Sequence, residues 1–288
     1  MMYLVGTSAR HIKVPGDRRV KYALKKYPSG EMRVDVSTDV RGEDVVLIGS
    51  VLPDGDSLLE LLIASDALKR QGAGVSIIIL YLAYARQDKP KKGEAFAART
   101  VCRILKTADY QEAYVIDVHN VKLRRFFRFQ NILPLRTYEK EIATIKNPII
   151  VAPDEGGVGR ARAMAGLLAS DIAYIKKKRL GPGKASSVLL RGDVGGKNAI
   201  IVDDIIDTGG TVIHAARLLM ASGAKGVRVL ATHGVFSGGA VKRLEKAPIR
   251  KITVTNTLPI EVRSRKIKVV KIEPVIKSIL SATDGKDQ

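Results

Sequence analysis

The sequence is poor in the residues on which several common kinds of site depend. Its 288 residues include one cysteine, no tryptophan and only 5% aromatic residues. The single cysteine, Cys102, excludes an internal disulfide, and its apolar helical neighbours predict a buried thiol rather than a nucleophile. The four histidines are far apart in the sequence and lack the spacing of a zinc site. These absences favour a reducing, cytoplasmic setting.

Other absences concern membranes and the familiar nucleotide-binding loops. The longest apolar run, residues 75–85, is too short to span a bilayer, and no secretory signal is visible at the N-terminus. We therefore expect a soluble protein without a membrane partner. No Walker loop is present, because Lys184 and Lys197 lack the required Gly and Ser/Thr neighbours, and neither a G-x-G-x-x-G nor a G-x-S-x-G pattern occurs.

Positive charge, in contrast, is in excess. The chain has 49 Lys and Arg against 29 Asp and Glu, a formal net charge of +20. Such a surplus raises the potential around an anion-binding cleft, which suits phosphorylated metabolites or nucleic acid. The basic residues are spread along the chain, aromatic residues for stacking are scarce, and no helix-turn-helix or RNA-binding signature occurs. The sequence therefore argues against nucleic acid as the partner.

Short β-branched runs alternate with helical patterns along most of the chain. Several runs are apolar at consecutive positions, which is typical of strands buried on both faces of a parallel sheet. The predicted strands are 45–51, 75–82, 113–119, 149–154, 199–204, 227–235 and 252–257, and the predicted helices are 57–70, 96–106, 158–169, 211–222 and 274–281. This alternation predicts an α/β protein with mainly parallel sheets.

Two segments interrupt the alternation. Residues 129–148 have mixed charge, prolines at 134 and 148 and no sustained period, so we place a domain boundary here. The halves, residues 1–146 and 147–288, each have the usual size of an α/β domain, and the last helix could pack back on the first half. Residues 180–197 contain six glycines or prolines and no convincing strand, which predicts a long mobile loop of the kind that closes over active sites.

The clearest sign of a site is the run from Ile200 to Thr211. An apolar strand ends at Asp203 and Asp204, and a glycine-rich turn then leads into a helix. The backbone N–H groups of the turn and the helix N-terminus favour a phosphate, and the hydroxyls of Thr208 and Thr211 can donate to it. The paired carboxylates suit vicinal hydroxyls or Mg²⁺. A sugar phosphate explains this pattern better than an acidic strand end with an ordinary turn.

This run resembles the phosphoribosyl pyrophosphate-binding motif of the phosphoribosyltransferase superfamily. The resemblance implies that ribose 5-phosphate binds through seven of its residues: Asp203, Asp204, Asp207, Thr208, Gly209, Gly210 and Thr211. Further segments resemble those of ribose-phosphate pyrophosphokinases, in the order found in that family and over most of the chain.

Three of these segments imply an ATP site. Residues 84–89 resemble the ATP-contacting segment, in which Arg86 would grip phosphate and Gln87 would contact the adenine edge. Residues 115–120 resemble the segment whose histidine, here His119, contacts the ATP-bound magnesium, although Mg²⁺ generally prefers oxygen ligands.

The third ATP segment, residues 27–31, resembles one that reaches the adenine from a neighbouring subunit. There Tyr27 would stack on the base, Glu31 would accept a hydrogen bond from it, and Ser29 stands where the family usually has Asp. The resemblance therefore implies a homo-oligomer whose sites are completed across a subunit interface.

Two more segments imply the second metal ligand and the catalytic cations. Residues 151–162 resemble the second magnesium site, provided here by Asp154. The run 176–179 resembles the Lys-x-Arg at the start of the family's flexible loop, which matches Lys177 and Arg179. Both would stabilise the transferring group, because displacement at phosphorus needs positioning and positive charge.

The resemblance thus implies two tandem phosphoribosyltransferase-type (type I) α/β domains and a ribose-phosphate pyrophosphokinase activity. The substrates would be Mg·ATP and ribose 5-phosphate. Two alternatives remain open. A nucleobase phosphoribosyltransferase would use the same sugar-phosphate site but has no need of the ATP segments or of a second half. A non-catalytic regulator would bind phosphoribosyl pyrophosphate, either as a synthetase-associated subunit or as a sensor that binds nucleic acid.

Overall fold

The computed structural model describes residues 1–14, 16, 18–178 and 187–284 and divides into two compact units. The first unit comprises Met1–Leu133, Thr257–Pro259 and Ile272–Gln288, and the second comprises Pro134–Asn256 and Ile260–Lys271. The sequence predicts a domain boundary after residue 146, whereas residues 134–146 belong to the second unit. There the Tyr138 hydroxyl donates to the Ala231 carbonyl at 2.9 Å, both groups being buried.

The first unit is built on one parallel sheet. Its strands are β1 (Met2–Val5), β4 (Asp44–Val51), β5 (Gly74–Leu82), β6 (Ala113–Ile116) and β7 (Gln130–Ile132), which lie in that order. A separate antiparallel hairpin consists of β2 (Tyr22–Lys26) and β3 (Met32–Val36). The helices are α1 (Asp56–Arg70), α2 (Ala97–Lys106) and α7 (Glu273–Asp284).

The continuous apolar run of β5 explains why this sheet is covered on both faces. Successive strand residues point to opposite faces. Ile77 and Ile79 therefore join the core beneath α1 and α2, whereas Ile78 and Leu80 join the core that includes Ile276 of α7. Full burial of such side chains contributes about 1.5–3 kcal/mol each, which fixes the strand ends that precede the candidate site.

The second unit contains a seven-stranded sheet. Its strands are β8 (Pro148–Ala152), β9 (Asp171–Lys178), β10 (Ser187–Arg191), β11 (Asn198–Ile206), β12 (Gly226–Gly234), β13 (Lys251–Thr255) and β14 (Ile267–Val270). They lie in the order β10-β9-β8-β11-β12-β13-β14, and all pairs are parallel except β10 with β9. The helices are α3 (Glu139–Ile142), α4 (Val158–Leu168), α5 (Gly210–Ala221) and α6 (Ala240–Lys246).

The two units confirm the predicted class, α/β with mainly parallel sheets, and the predicted strands and helices are present with shifted ends. The prediction that residues 180–197 lack a strand is wrong, because β10 pairs with β9 and aligns Leu190 with Ile175. Val194, which follows β10, is also buried. Residues 179–186 lie outside the described residues, so the predicted mobility there stays a prediction. None of the described helices has the length and apolarity that a bilayer crossing requires.

Candidate active site

The paired aspartates lie near the carboxyl end of β11, a central strand of the second sheet. The strand continues two residues further than predicted and pairs Ile206 with Gly234 of β12. Its buried residues Ile200 to Val202 anchor it between neighbours. Asp204 is buried and Asp203 is half-buried. Ligands of open parallel sheets bind at this edge, so both carboxylates lie where a ligand site is expected.

A glycine turn connects β11 to α5. Gly209 precedes α5 with a φ of 79°, and a Cβ there would approach Cδ2 of Leu244 to 3.1 Å, so both conformation and space require glycine. Thr208, Gly210 and Thr211 are exposed. Because the first N–H groups of a helix have no partner within it, this turn presents donors and a positive dipole end to an anion.

Three carboxylates and one guanidinium determine the electrostatics beside the turn. Burial raises the pKa of the Asp203 carboxyl well above its ordinary value, and the charges of Asp204 and Asp154 raise it further. The guanidinium of Arg160 opposes this shift and lies 3.7 Å from Oδ1 of Asp204. The Asp204 N–H donates to Oδ1 of Asp203 at 3.0 Å. The site therefore concentrates negative charge that hydroxyl donors or a cation would stabilise.

Asp154 follows β8, the strand beside β11, and is exposed. Its Oδ1 accepts a hydrogen bond from the Gly157 N–H at 3.0 Å. Among the described residues, no group of three or more His, Cys, Asp or Glu side chains is arranged to hold a metal ion. Mg²⁺ commonly takes one or two carboxylates and completes its shell with water and phosphate oxygens. The carboxylates present fit that kind of ion, not one enclosed by protein ligands.

The basic run 176–179 begins inside β9. Lys176 forms an ion pair with Glu155 at 2.9 Å, which raises the pKa of the lysine. The backbone of Lys177 pairs with Val188 of β10. Arg179, the second predicted catalytic cation, lies outside the described residues. The run thus contains one lysine that is committed to a neighbouring carboxylate and another at the position predicted for catalysis.

In the first unit, Arg86 and Gln87 lie on a turn that follows β5, with both side chains exposed. The turn begins at Tyr84, which has a φ of 65° and whose hydroxyl donates to the Pro53 carbonyl at 2.8 Å. The Gln87 N–H donates to the Tyr84 carbonyl at 2.9 Å, and the Gln87 carbonyl accepts from the Ala98 N–H of α2 at 3.3 Å. Main-chain bonds therefore hold the turn and leave its two polar side chains at the surface.

A side-chain hydrogen bond joins this turn to the His119 segment. The Asn120 amide donates to Oδ2 of Asp88 at 2.5 Å, and the Val118 N–H donates to Oδ1 of Asn131 at 2.7 Å. His119 is exposed between these two anchors. The structure therefore brings the Arg86–Gln87 and His119 segments together within the first unit, at the ends of adjacent strands β5 and β6.

Tyr27, Ser29 and Glu31 come together at the tip of the β2–β3 hairpin, where all three are exposed. The Tyr27 N–H donates to the Glu31 carbonyl at 2.9 Å, and the Ser29 hydroxyl donates to the Glu31 carboxylate at 2.9 Å. Hydrogen bonds to Tyr27 and Asp35 raise the pKa of Arg33 at the base of the tip. The tip thus presents one exposed aromatic ring and one exposed carboxylate, and hydrogen bonds within the hairpin hold both residues.

Sequence reasoning missed three side chains in the second unit. Arg160 lies in the segment 151–162, but the sequence pattern assigns it no role. Ser237 donates to the Asp207 carboxylate, and Arg243 donates to the Thr208 carbonyl at 2.9 Å. These two follow β12, the other neighbour of β11. The rule that parallel neighbours end at one edge could have suggested the segment after β12, but it could not have selected these residues.

Comparisons with known proteins show which family the chain resembles. Residues 9–108 match the N-terminal domain of ribose phosphate pyrophosphokinase, and residues 180–283 match the phosphoribosyl synthetase-associated domain. A ribose-phosphate pyrophosphokinase of Aquifex aeolicus is 40% identical over 270 residues, which cover 91% of this chain and 87% of the relative. That of Pyrococcus furiosus is 40% identical over 273 residues, covering 90% and 94%. A phosphoribosylpyrophosphate synthetase of Mycobacterium smegmatis has a similar structure, with a TM-score of 0.83 and 33% identity over 99% of each chain.

Proposed function

Because the chain belongs to the ribose-phosphate pyrophosphokinase family, we propose a mechanism that gives each part of its candidate site a role in that reaction. The enzyme transfers the β,γ-pyrophosphoryl group of ATP to the anomeric hydroxyl of ribose 5-phosphate. The products are 5-phosphoribosyl 1-pyrophosphate and AMP. The observation that most directly supports the site assignment is the pairing of Asp203 and Asp204 with a glycine turn at the start of α5.

Ribose 5-phosphate binds in the second unit. Its phosphate is held by the N–H groups and hydroxyls of residues 208–211, where the α5 dipole stabilises negative charge. Asp203 and Asp204 accept hydrogen bonds from the vicinal hydroxyls of the ribose. These bonds partly replace the hydration that burial removes from Asp203. Asp207 shapes the turn, since its carboxylate accepts from Ser237.

ATP binds through the first unit and a neighbouring subunit. Arg86 can hold phosphate oxygens with two parallel N–H groups, and Gln87 has both a donor and an acceptor for the adenine edge. Tyr27 of a neighbouring copy stacks on the base, and Glu31 accepts from it. An exposed ring at the tip of a hairpin suits this role, which requires a homo-oligomer.

Mg²⁺ would be the cofactor: His119 would contact the ATP-bound ion, and Asp154 would provide the protein ligand of a second magnesium site. Asp154 offers an exposed carboxylate beside Asp203, whereas a lone imidazole would contribute a single nitrogen to an ion held mainly by nucleotide oxygens. When bound, Mg²⁺ would supply positive charge to the phosphate oxygens of ATP.

The transfer itself depends on positioning and on positive charge. The anomeric hydroxyl attacks the β-phosphorus and gives up its proton to water, the bond from the β-phosphorus to the bridging oxygen breaks, and AMP leaves with that oxygen. Lys177 and Arg179 stabilise the charge on the equatorial oxygens of the transferring group. The anomeric hydroxyl is more acidic than an ordinary alcohol, so the reaction does not depend on a strong general base.

We place the enzyme in the cytoplasm. Cys102 is buried, and burial raises the pKa of its thiol to about 11, so the thiol is neutral and inert at physiological pH. A chain with one such cysteine does not depend on an oxidising compartment.

The decisive experiment measures the nucleotide product. Purified protein is incubated with Mg·ATP, with and without ribose 5-phosphate, and AMP, ADP and phosphoribosyl pyrophosphate are quantified. We expect AMP and phosphoribosyl pyrophosphate in equal amounts, and only when ribose 5-phosphate is present. ADP as the product would contradict the proposed transfer, because it requires attack at the γ-phosphorus. If neither nucleotide forms with phosphate and several divalent metals supplied, the non-catalytic regulator becomes the better description.

A further inference from the structure

The segment that follows β12 contacts residues 207–209, which begin the turn proposed to bind phosphate. Three of its residues, Ser237, Arg243 and Leu244, contact the turn, and we call them the turn support. In addition, the Val235 and Phe236 N–H groups both donate to the Ile206 carbonyl, at 2.9 and 3.1 Å. The segment is therefore bonded to β11 immediately before the turn begins.

Within the turn support, Arg243 makes the contact that bears most directly on phosphate binding. Its Nη2 donates to the Thr208 carbonyl at 2.9 Å, and its Nη1 donates to the Gly238 carbonyl at 2.7 Å. In the described part of the chain, its guanidinium forms no ion pair with a carboxylate. Its guanidinium therefore brings a positive charge next to the turn without a salt-bridge partner among the described residues.

The bond to Thr208 fixes the direction of a neighbouring donor. The peptide bond between Thr208 and Gly209 is planar and trans, so its C=O and N–H point in opposite directions. Arg243 holds the C=O on its own side, and the Gly209 N–H must then point the other way. A turn that can flip this peptide would present a carbonyl oxygen, rather than an N–H, to a phosphate.

The other members of the turn support limit the same motion. The Ser237 hydroxyl donates to the Asp207 carboxylate, the residue before Thr208. The side chain of Leu244 lies so close to Gly209 that a Cβ there would come within 3.1 Å. Both contacts restrict the turn, but neither brings charge.

We propose that Arg243 is a positioning residue for ribose 5-phosphate: it fixes the Thr208–Gly209 peptide with its N–H toward the phosphate and adds positive potential behind it. This inference depends on the proposed function, because it takes residues 208–211 as the 5-phosphate site. Arg243 acts through the turn and does not itself touch the reacting atoms.

The test compares Arg243→Ala, Arg243→Lys and Arg243→Gln with Lys242→Ala. Lys242 is the adjacent exposed residue of α6, so its replacement removes the same charge without touching the turn. KM is measured separately for ribose 5-phosphate and for ATP. Losing a hydrogen bond from a charged donor at a binding site typically costs a factor of about ten or more. We expect Arg243→Ala to raise the KM for ribose 5-phosphate by about tenfold, with the KM for ATP unchanged.

The two conservative variants separate orientation from charge. Lysine keeps the charge but loses the fork that holds two carbonyls, whereas glutamine keeps one amide donor without charge. Both should lie between Arg243→Ala and the unchanged enzyme. The inference is overturned if Lys242→Ala gives the same rise, which would make the effect one of general surface charge. It is also overturned if Arg243→Ala raises both KM values equally.

A binding readout keeps this test independent of turnover. The melting temperature of each variant is recorded with ribose 5-phosphate and, separately, with inorganic phosphate. A smaller ribose 5-phosphate shift for Arg243→Ala than for Lys242→Ala supports the inference, and equal shifts refute it. If the unchanged protein binds ribose 5-phosphate but forms no AMP, the proposed activity fails while the role of Arg243 is still decided.

Discussion

The guanidinium of Arg160 lies 3.7 Å from Oδ1 of Asp204, and both side chains are almost completely buried. Arg160 belongs to α4, which follows the Asp154 segment, whereas Asp204 belongs to β11. The contact therefore joins the two segments that provide the carboxylates of the site. The same guanidinium opposes the rise in the pKa of Asp203, so it offsets part of the repulsion among three carboxylates near the ends of β8 and β11.

Replacing Arg160 with Gln should impair both stability and activity. Removing one partner from a buried ion pair leaves an uncompensated charge and typically costs about 3 kcal/mol or more. Because Arg160 lowers the pKa of Asp203, its loss should also move the acidic limb of the kcat/KM profile to higher pH. Urea denaturation and a pH–rate profile measure the two effects.

The matched control is Arg162→Gln. Arg162 is exposed on the same helix, two residues further along. Its replacement should change neither the midpoint of denaturation nor the pH profile. Equal behaviour of the two variants would show that the Arg160–Asp204 contact has no special role.

Replacing Asp203 with Asn should stabilise the ligand-free protein at neutral pH. The pKa of Asp203 is raised in the folded state, so between the ordinary Asp value and the folded value the native protein holds more protons than the unfolded chain. The free energy of unfolding of the unchanged protein therefore falls as the pH rises through that window. Above the window it stays lower, by about 1.4 kcal/mol for each unit by which the folded pKa exceeds the ordinary Asp value. The advantage of the variant should be present at pH 7 and shrink as the pH falls toward 4. A difference that does not change with pH would contradict this account.

The sugar-phosphate half of the site could be predicted because its parts are contiguous in the chain. An apolar strand, two aspartates, a glycine turn and a helix start occupy residues 198–211 without a break. Arg243 could not be predicted, because it approaches Thr208 only through the parallel pairing of β11 with β12. Pairing between strands is a property of the fold, and a local pattern does not reveal it.

The sequence did not predict strand β10, for a related reason. β10 has only five residues, lies among glycines and pairs antiparallel with β9 at the edge of the sheet. Gly192, just after it, packs so closely on Ala173 that a Cβ would come within 2.8 Å. In the sequence, Gly192 indicates a loop. In the fold, its missing side chain allows close contact between neighbouring segments.

Replacing Gly209 with Ala should damage the phosphate turn specifically. Its φ of 79° disfavours any side chain, and the added Cβ would also meet Leu244 at 3.1 Å. Gly196→Ala is the matched control, since Gly196 has a φ of 64° but open space around it. Both variants should lose about 1–2 kcal/mol of stability from the backbone alone. Only Gly209→Ala should raise the KM for ribose 5-phosphate, and a similar rise for both would mean that general loosening of the unit is responsible.

Replacing Lys177 with Ala should lower kcat without a matching rise in either KM. A cation that acts on the transferring group stabilises the transition state more than the bound substrates, so its loss appears in turnover. Removing one such group typically costs a factor of about 10²–10³ in kcat.

The control for this prediction is the neighbouring residue. Lys176 forms an exposed ion pair with Glu155, and exposed pairs contribute little to stability. Lys176→Ala should therefore keep nearly full turnover and substrate affinity. Steady-state kinetics with both substrates varied distinguishes the two lysines. If Lys176→Ala abolished turnover and Lys177→Ala did not, the match to the Lys-x-Arg pattern would be displaced by one residue. The ion pair with Glu155 would then have to open before each transfer, because Lys176 cannot hold that carboxylate and the transferring group together.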